Sequence, residues 1–232
     1  MTSKPLVMMP AARAAVREGR KTVTRRLINS LKNWDHDFEP EPYFITQWGI
    51  WAIEHPYSDG SIILITNTKP GEIYYLTETY WAFGHWEYVQ KKGRMGWAFV
   101  CDRPDDIRFV APNCALPSMD KANPGIAAWY KRNAHFMPRA YARTFIRVTG
   151  VGVERLRDIS EVDAIKEGCR PYWDAENPEQ VRSPNDGFIE MLPLCGPLDA
   201  FQALWNSLHP GAHENWQANP WVAVVDFERV EP

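Results

Sequence analysis

Between Arg143 and Val153 apolar and polar residues alternate, with Phe145, Ile146, Val148, Val151 and Val153 as the apolar members. A second alternating stretch runs from Trp221 to Val230 and includes Val222, Val224 and Phe227. A period of two is the mark of a strand with one face buried. The chain therefore builds its core on a sheet, and the first stretch predicts a long central strand.

Helical spacing occurs in shorter pieces. From Met8 to Glu18 the residues Met8, Ala12, Ala15 and Val16 share one face, Arg13, Arg17 and Glu18 the other, and Gly19 supplies the stop. Ser160 followed by Asp163 is a capping pair for a short helix that ends at Gly168. Leu198 to Leu208 places Leu198, Phe201, Leu204, Trp205 and Leu208 on one face, and Phe201 and Trp205 are simplest as core. Further strands are expected at Lys21 to Leu27, Phe44 to Ile53, Ile62 to Ile65 and Glu72 to Thr79, with a hairpin turn at Ser58-Asp59-Gly60. Residues 83–138 lack strong periodicity and predict an irregular insertion with at most short strands, at Trp97 to Cys101 and Ile107 to Val110. Residues 170–196 predict a second, Pro- and Asp-rich loop insertion. The sum is an α+β chain, a small partly open β-barrel with short helices packed at its ends, forming a single domain over residues 1–232.

The formal charge of −3 excludes a protein that coats nucleic acid by global attraction, so any such contact must be local. Cys101, Cys114, Cys169 and Cys195 are widely spaced, and neither they nor His135, His209 and His213 show metal-ligand spacing. No metal or cofactor is expected. The N-terminal residues lack the pattern of a signal peptide, and no apolar run approaches the ~20 residues that span a bilayer. The expectation is a cytoplasmic protein with free thiols and no membrane partner; its oligomeric state is not legible.

Against that acidic balance, residues 13–26 hold Arg13, Arg17, Arg20, Lys21, Arg25 and Arg26 with a single acid, Glu18. Two readings stand. One is a solvated helix face followed by a charge-protected edge strand. The other is an anion-facing site, in which crowding by arginines pushes Lys21 toward its neutral form and lets it take the hydroxyl proton of Thr24.

The run Gly19-Arg20-Lys21-Thr22-Val23-Thr24-Arg25-Arg26 resembles the G-R-K-T-x-T-x-R signature of the ASCH domain family, whose fold is a PUA-like β-barrel. The resemblance extends to Lys69-Pro70-Gly71-Glu72 and the strand after it, to the stretch from Ile159 to Gly168, and to the closing strand from Asn219 to Phe227. With Leu76 to Trp81 and His135 to Arg139, the chain is similar to enlarged ASCH-like proteins of phages and prophages. The resemblance implies a partner that is RNA or a modified nucleoside. It also implies amide hydrolysis on an acylated base such as N4-acetylcytidine, by a Lys, Thr and Glu set that falls on Lys21, Thr24 and Glu167. Lys21 would activate Thr24, and Glu167 would orient Lys21 or return a proton to the leaving amine. The chain is about twice the size of the compact hydrolases of that family, and its insertions would shape the pocket for a larger substrate.

Other candidate contacts are Arg20, Arg25 and Arg26 for phosphate, Glu78 and Trp81 for a base, and Arg139 and Arg143 for phosphate. For Trp81 the alternative is a wedge in the barrel mouth, and for the last two arginines a pairing with a surface acid. A non-catalytic RNA-binding module and a single-strand ribonuclease stand as alternatives to the hydrolase.

Overall fold

The computed structural model describes residues 3–31, 41–54, 62–91, 93–116, 119, 123–169 and 196–231. In chain order its strands are β1 (Ser3–Val7), β2 (Val23–Leu27), β3 (Tyr43–Ile45), β4 (Ile50–Glu54), β5 (Ile62–Leu64), β6 (Ile73–Thr77), β7 (Tyr80–Lys91), β8 (Arg94–Cys101), β9 (Ala128–Arg132), β10 (Phe145–Arg155) and β11 (Trp221–Val230). The helices are α1 (Pro10–Arg17), α2 (Glu161–Lys166) and α3 (Pro197–Leu208). The α+β mixture is present, mostly as strands. The sheets are open, and no described strand order closes on itself as a barrel. No described helix is long and apolar enough to cross a membrane. The chain groups into two units, one of residues 9–74 and 144–232, the other of residues 3–8 and 75–143.

In the first unit β10, β11 and β2 lie side by side, and the two alternating stretches of the sequence are the antiparallel pair β10 and β11. β2 adds to the other side of β11, with Thr24 opposite Val225 and Arg25 opposite Val224. β11 is therefore inner on both sides. A register shift between Val148 and Gly150 bends β10. One apolar cluster joins Leu156, Ile159 and Ala164 to Phe201, Trp205 and Val222, so the bases of α2 and α3 are seated on the end of the sheet. A second gathers Ile28, Leu31, Ile53 and Ile65. The stretch expected as one strand from Phe44 to Ile53 is two, because the chain turns at Gly49, whose φ of 63° suits glycine. β4 pairs antiparallel with β5 as the expected hairpin, whose turn at residues 58–60 lies outside the described residues. So does the second expected insertion, apart from Gly196.

α1 differs from its sequence reading in one respect: Arg13, assigned to the polar face, is buried beside Ala15 and Val16. The 3.6-residue period places it on the edge of the apolar stripe, and a long aliphatic stem tolerates that position.

In the second unit residues 83–138 hold more strand than expected: Trp97 to Cys101 lies within β8, whereas Ile107 to Val110 forms only an isolated bridge at Arg108. β7 is twelve residues long and sits between β8 and β9 in an antiparallel sheet. Its rings are matched across strands: Trp86 faces Phe99, Tyr88 faces Trp97 and Phe83 faces Trp129, with centroids 5.5, 5.1 and 5.7 Å apart. Cross-strand aromatic pairs stabilise sheets. The pattern escaped detection because aromatics occupy both faces of β7, which removes the polar alternation that marks a half-buried strand. β1 lies beside β6, whose residues 75–77 belong to this unit. Tyr80, Ala82 and Met137 form its apolar core.

Candidate active site around Lys21 and Glu167

Two helices end at the basic segment. The carbonyls in the last turn of α1 accept from Glu18, Gly19, Arg20 and Lys21 amides, and Gly19 takes the φ of 76° that such a stop requires. At the end of α2, Thr22 N donates to Lys166 O at 2.9 Å, Lys21 Nζ to Glu167 O at 2.8 Å and Arg20 Nη1 to Gly168 O at 3.3 Å. Three consecutive residues thus take three consecutive carbonyls in reverse order. Helix C-termini carry partial negative charge, and cations gather there favourably. Part of the positive excess of residues 13–26 is explained by this alone.

Glu167 caps α2 at its C-terminus and is buried, with 8% of its surface exposed. A carboxylate at a negative helix pole costs energy unless cations meet it. Lys21, 6% exposed, pairs with Oε2; the amide of Arg25 donates to Oε1 at 2.6 Å and Arg25 Nη1 lies 3.4 Å from the same oxygen. Arg25 in turn donates from Nε to Glu154 at 2.7 Å and approaches Asp163 at 3.8 Å. Ser160 holds Asp163 below the usual carboxylate range by hydrogen bonding, with Lys166 and Arg25 adding attraction. Cys169 packs against the Leu156 and Phe201 cluster, and burial, reinforced by the Glu167 charge, pushes its thiol up to about 12.

Gly168 makes the approach possible. Its φ is 94°, and a Cβ there would stand 3.1 Å from Ala15 Cβ and 3.4 Å from Lys21 Cβ. Helix α2 can end against Lys21 because this position has no side chain.

The neighbour of the Lys21 ammonium is a carboxylate, whereas the sequence reading surrounded it with arginines. Arg20 turns to Glu18 and to Gly168 O, and Arg25 to the acids. Thr24 is buried opposite Val225 on β2, and among the described residues no hydrogen bond joins its hydroxyl to Lys21. Strand alternation sends the Thr24 and Arg25 side chains to opposite faces. Arg26 is exposed on the Thr24 side.

Compared with family models, curated proteins and solved structures, the chain finds no match.

The remaining candidates lie in the second unit. Arg143 grips the buried Glu78 with two bonds, Nη2 to Oε2 at 2.7 Å and Nε to Oε1 at 3.3 Å, and its guanidinium lies 3.6 Å from the Phe109 ring centroid. These two expected substrate contacts hold each other. Arg139 donates to Ser3 Oγ at 2.7 Å. Trp81, half-buried, exchanges both backbone bonds with Arg108. Among the described residues no group of three His, Cys, Asp or Glu is placed to hold a metal.

Sequence reasoning did not find Glu154 or Cys169. Glu154 reaches Arg25 across an intervening strand: Arg25 faces Val224, Val224 faces Gly152, and Glu154 follows two residues on. Only the registers of β2, β11 and β10 bring the two together.

Proposed function

We propose that this chain is a hydrolase that removes an acyl group from the exocyclic amine of a modified nucleobase, acting in the cytoplasm from a PUA-like fold. The observation that carries the reading is the buried Lys21 and Glu167 pair, assembled from residues 146 apart in sequence. Beside the resemblance of Gly19 to Arg26, it supplies an acid and base within one hydrogen bond of each other.

In the proposed reaction Thr24 Oγ1 attacks the amide carbonyl carbon. Its proton passes to Lys21 as Lys21 gives one to Glu167, and the C–N bond breaks as a proton returns to the departing amine. Water then cleaves the Thr24 ester, releasing the carboxylic acid and restoring the hydroxyl. Incubation with N-acylated nucleosides, followed by mass spectrometry, tests this. Turnover of at least one substrate, lost in Lys21→Ala and in Thr24→Ala, is the expected result. No turnover of any of them, or full turnover by Lys21→Ala, would overturn it.

A second reading is favoured by a separate observation, that Lys21 spends its donors on Glu167 and none on Thr24. Here the pair is a brace, the protein binds RNA without cleaving it, and the charges of Arg20 and Arg26 attract phosphate. It expects salt-sensitive binding that weakens on removing those charges and ignores Thr24→Ala.

A further inference from the structure

The second unit holds a cleft of about 690 Å³, lined by the segment from Arg108 to Cys114 together with Trp129 and Arg143. No acid stands among those residues. Clefts of this size ordinarily take a small molecule, with an apolar wall for its body and a few polar groups that orient it. Here the wall includes Phe109, Val110, Pro112 and Trp129, and the two charged side chains are both arginines. None of these residues belongs to the Lys21 site.

The two arginines are prepared in the same way. Arg108 gives Nε and Nη2 to the Asp106 carboxylate at 3.1 and 3.2 Å and lies over the Trp129 ring at 4.3 Å. Arg143 gives Nε and Nη2 to Glu78 and lies over the Phe109 ring. In each case an acid holds one edge of the guanidinium and a ring holds one face. Among the described residues no hydrogen bond uses Nη1 of either. The backbone of Arg108 is fixed as well, by two bonds with Trp81 at 2.7 and 3.0 Å. Neither acid lines the cleft, and Arg108 and Arg143 keep 48% and 45% of their side-chain surface exposed. A guanidinium already held in place loses little freedom when it takes an anion, and its fork fits carboxylate and phosphate.

We propose that this cleft binds a small organic anion, whose carboxylate or phosphate is taken by Arg108 and Arg143 and whose apolar body lies against Phe109, Val110 and Pro112. A lining with cations and no acid selects a negative head group. The apolar wall favours a molecule with a body over a bare inorganic ion.

Isothermal titration calorimetry of the full chain with naphthoate and naphthyl phosphate is the test, with the neutral naphthalenemethanol as comparison. Binding of either anion at one site per chain is expected, and the tighter of the two identifies the head group. The alcohol keeps the body and lacks the charge, so it should bind at least about tenfold more weakly. Arg108→Gln should weaken the anions by about tenfold. Val110→Glu puts a carboxylate on a wall position that is 81% exposed, and should weaken them in the same direction without lowering the melting temperature. Arg147→Gln removes an exposed charge from the first unit and should leave binding unchanged. Bound anion should also slow the alkylation of Cys114 by iodoacetamide, because that residue lines the cleft. Absence of binding by both anions at millimolar concentration, equal affinity for the alcohol, or full binding by Arg108→Gln and Val110→Glu would overturn the proposal. So would loss of binding in Tyr88→Ala with Trp97→Ala at an unchanged melting temperature, because the probes would then be reading the exposed rings of β7 and β8.

Discussion

Lys21 Nζ donates to both the backbone carbonyl and the carboxylate of Glu167, so that one ammonium closes the C-terminus of α2 and neutralises the acid placed there. The contact links the start of the chain to a helix far along it. Brace and catalyst are both consistent with the geometry, and they differ in what substitution does.

Removing either partner leaves a charge buried. Glu167→Ala strands Lys21, while Arg25 keeps Glu154, and a broken buried pair costs about 3–5 kcal/mol. Urea denaturation should show that loss. Replacing both partners, as Lys21→Met with Glu167→Leu, should recover most of the stability, because apolar pairs of similar volume often match a buried ion pair. Hydrolysis, if Lys21 is catalytic, should remain absent in the stable double variant.

The second unit depends on a bare position. A Cβ on Gly84 would stand 2.0 Å from the Val100 carbonyl oxygen, so Gly84→Ala should force the β7 and β8 pairing apart and cost about 1–3 kcal/mol. Gly96 has nothing within 4 Å and serves as the control. Gly96→Ala should be neutral or stabilising by about 0.5–1 kcal/mol, since it limits the unfolded chain. Thermal denaturation of both variants checks the pair.

His85 should titrate above the ordinary 6.5, because Asp102 and Glu87 hydrogen-bond its ring and favour the cation. A raised folded value means that the contribution to stability is fully present below the unfolded pKa and is lost as pH rises through the folded one. NMR titration should place the midpoint higher in the folded chain than in an unfolded peptide. Asp102→Asn should lower it.

Cys169 should resist alkylation. Burial and the Glu167 charge push its thiol up to about 12, whereas Cys114 is exposed. Peptide mapping after iodoacetamide treatment should find Cys114 modified before Cys169, and Cys169 modified only as the first unit unfolds. Early modification of Cys169 would contradict its packing against the cluster of Leu156, Ala164 and Phe201.

Several elements were legible in the chain itself. β10, β11, α3 and the capped start of α2 follow from periodicity and from Ser160 with Asp163, because each is written in residues that are neighbours along the chain. The β7 sheet was not, since rings on both faces erase the alternation and its stability comes from partners on other strands. The basic segment stood out by charge alone. Which of its cations face acids, and which face helix carbonyls, was decided by the registers that set Arg25 near Glu154 and by the turn at Gly168 that lets α2 end on Lys21. Local pattern marks the strands and helices whose apolar faces alternate or repeat along the chain, β10, β11 and α3 among them. Where a charge finds its partner depends on which segments meet, and that is set by the packing of the whole chain.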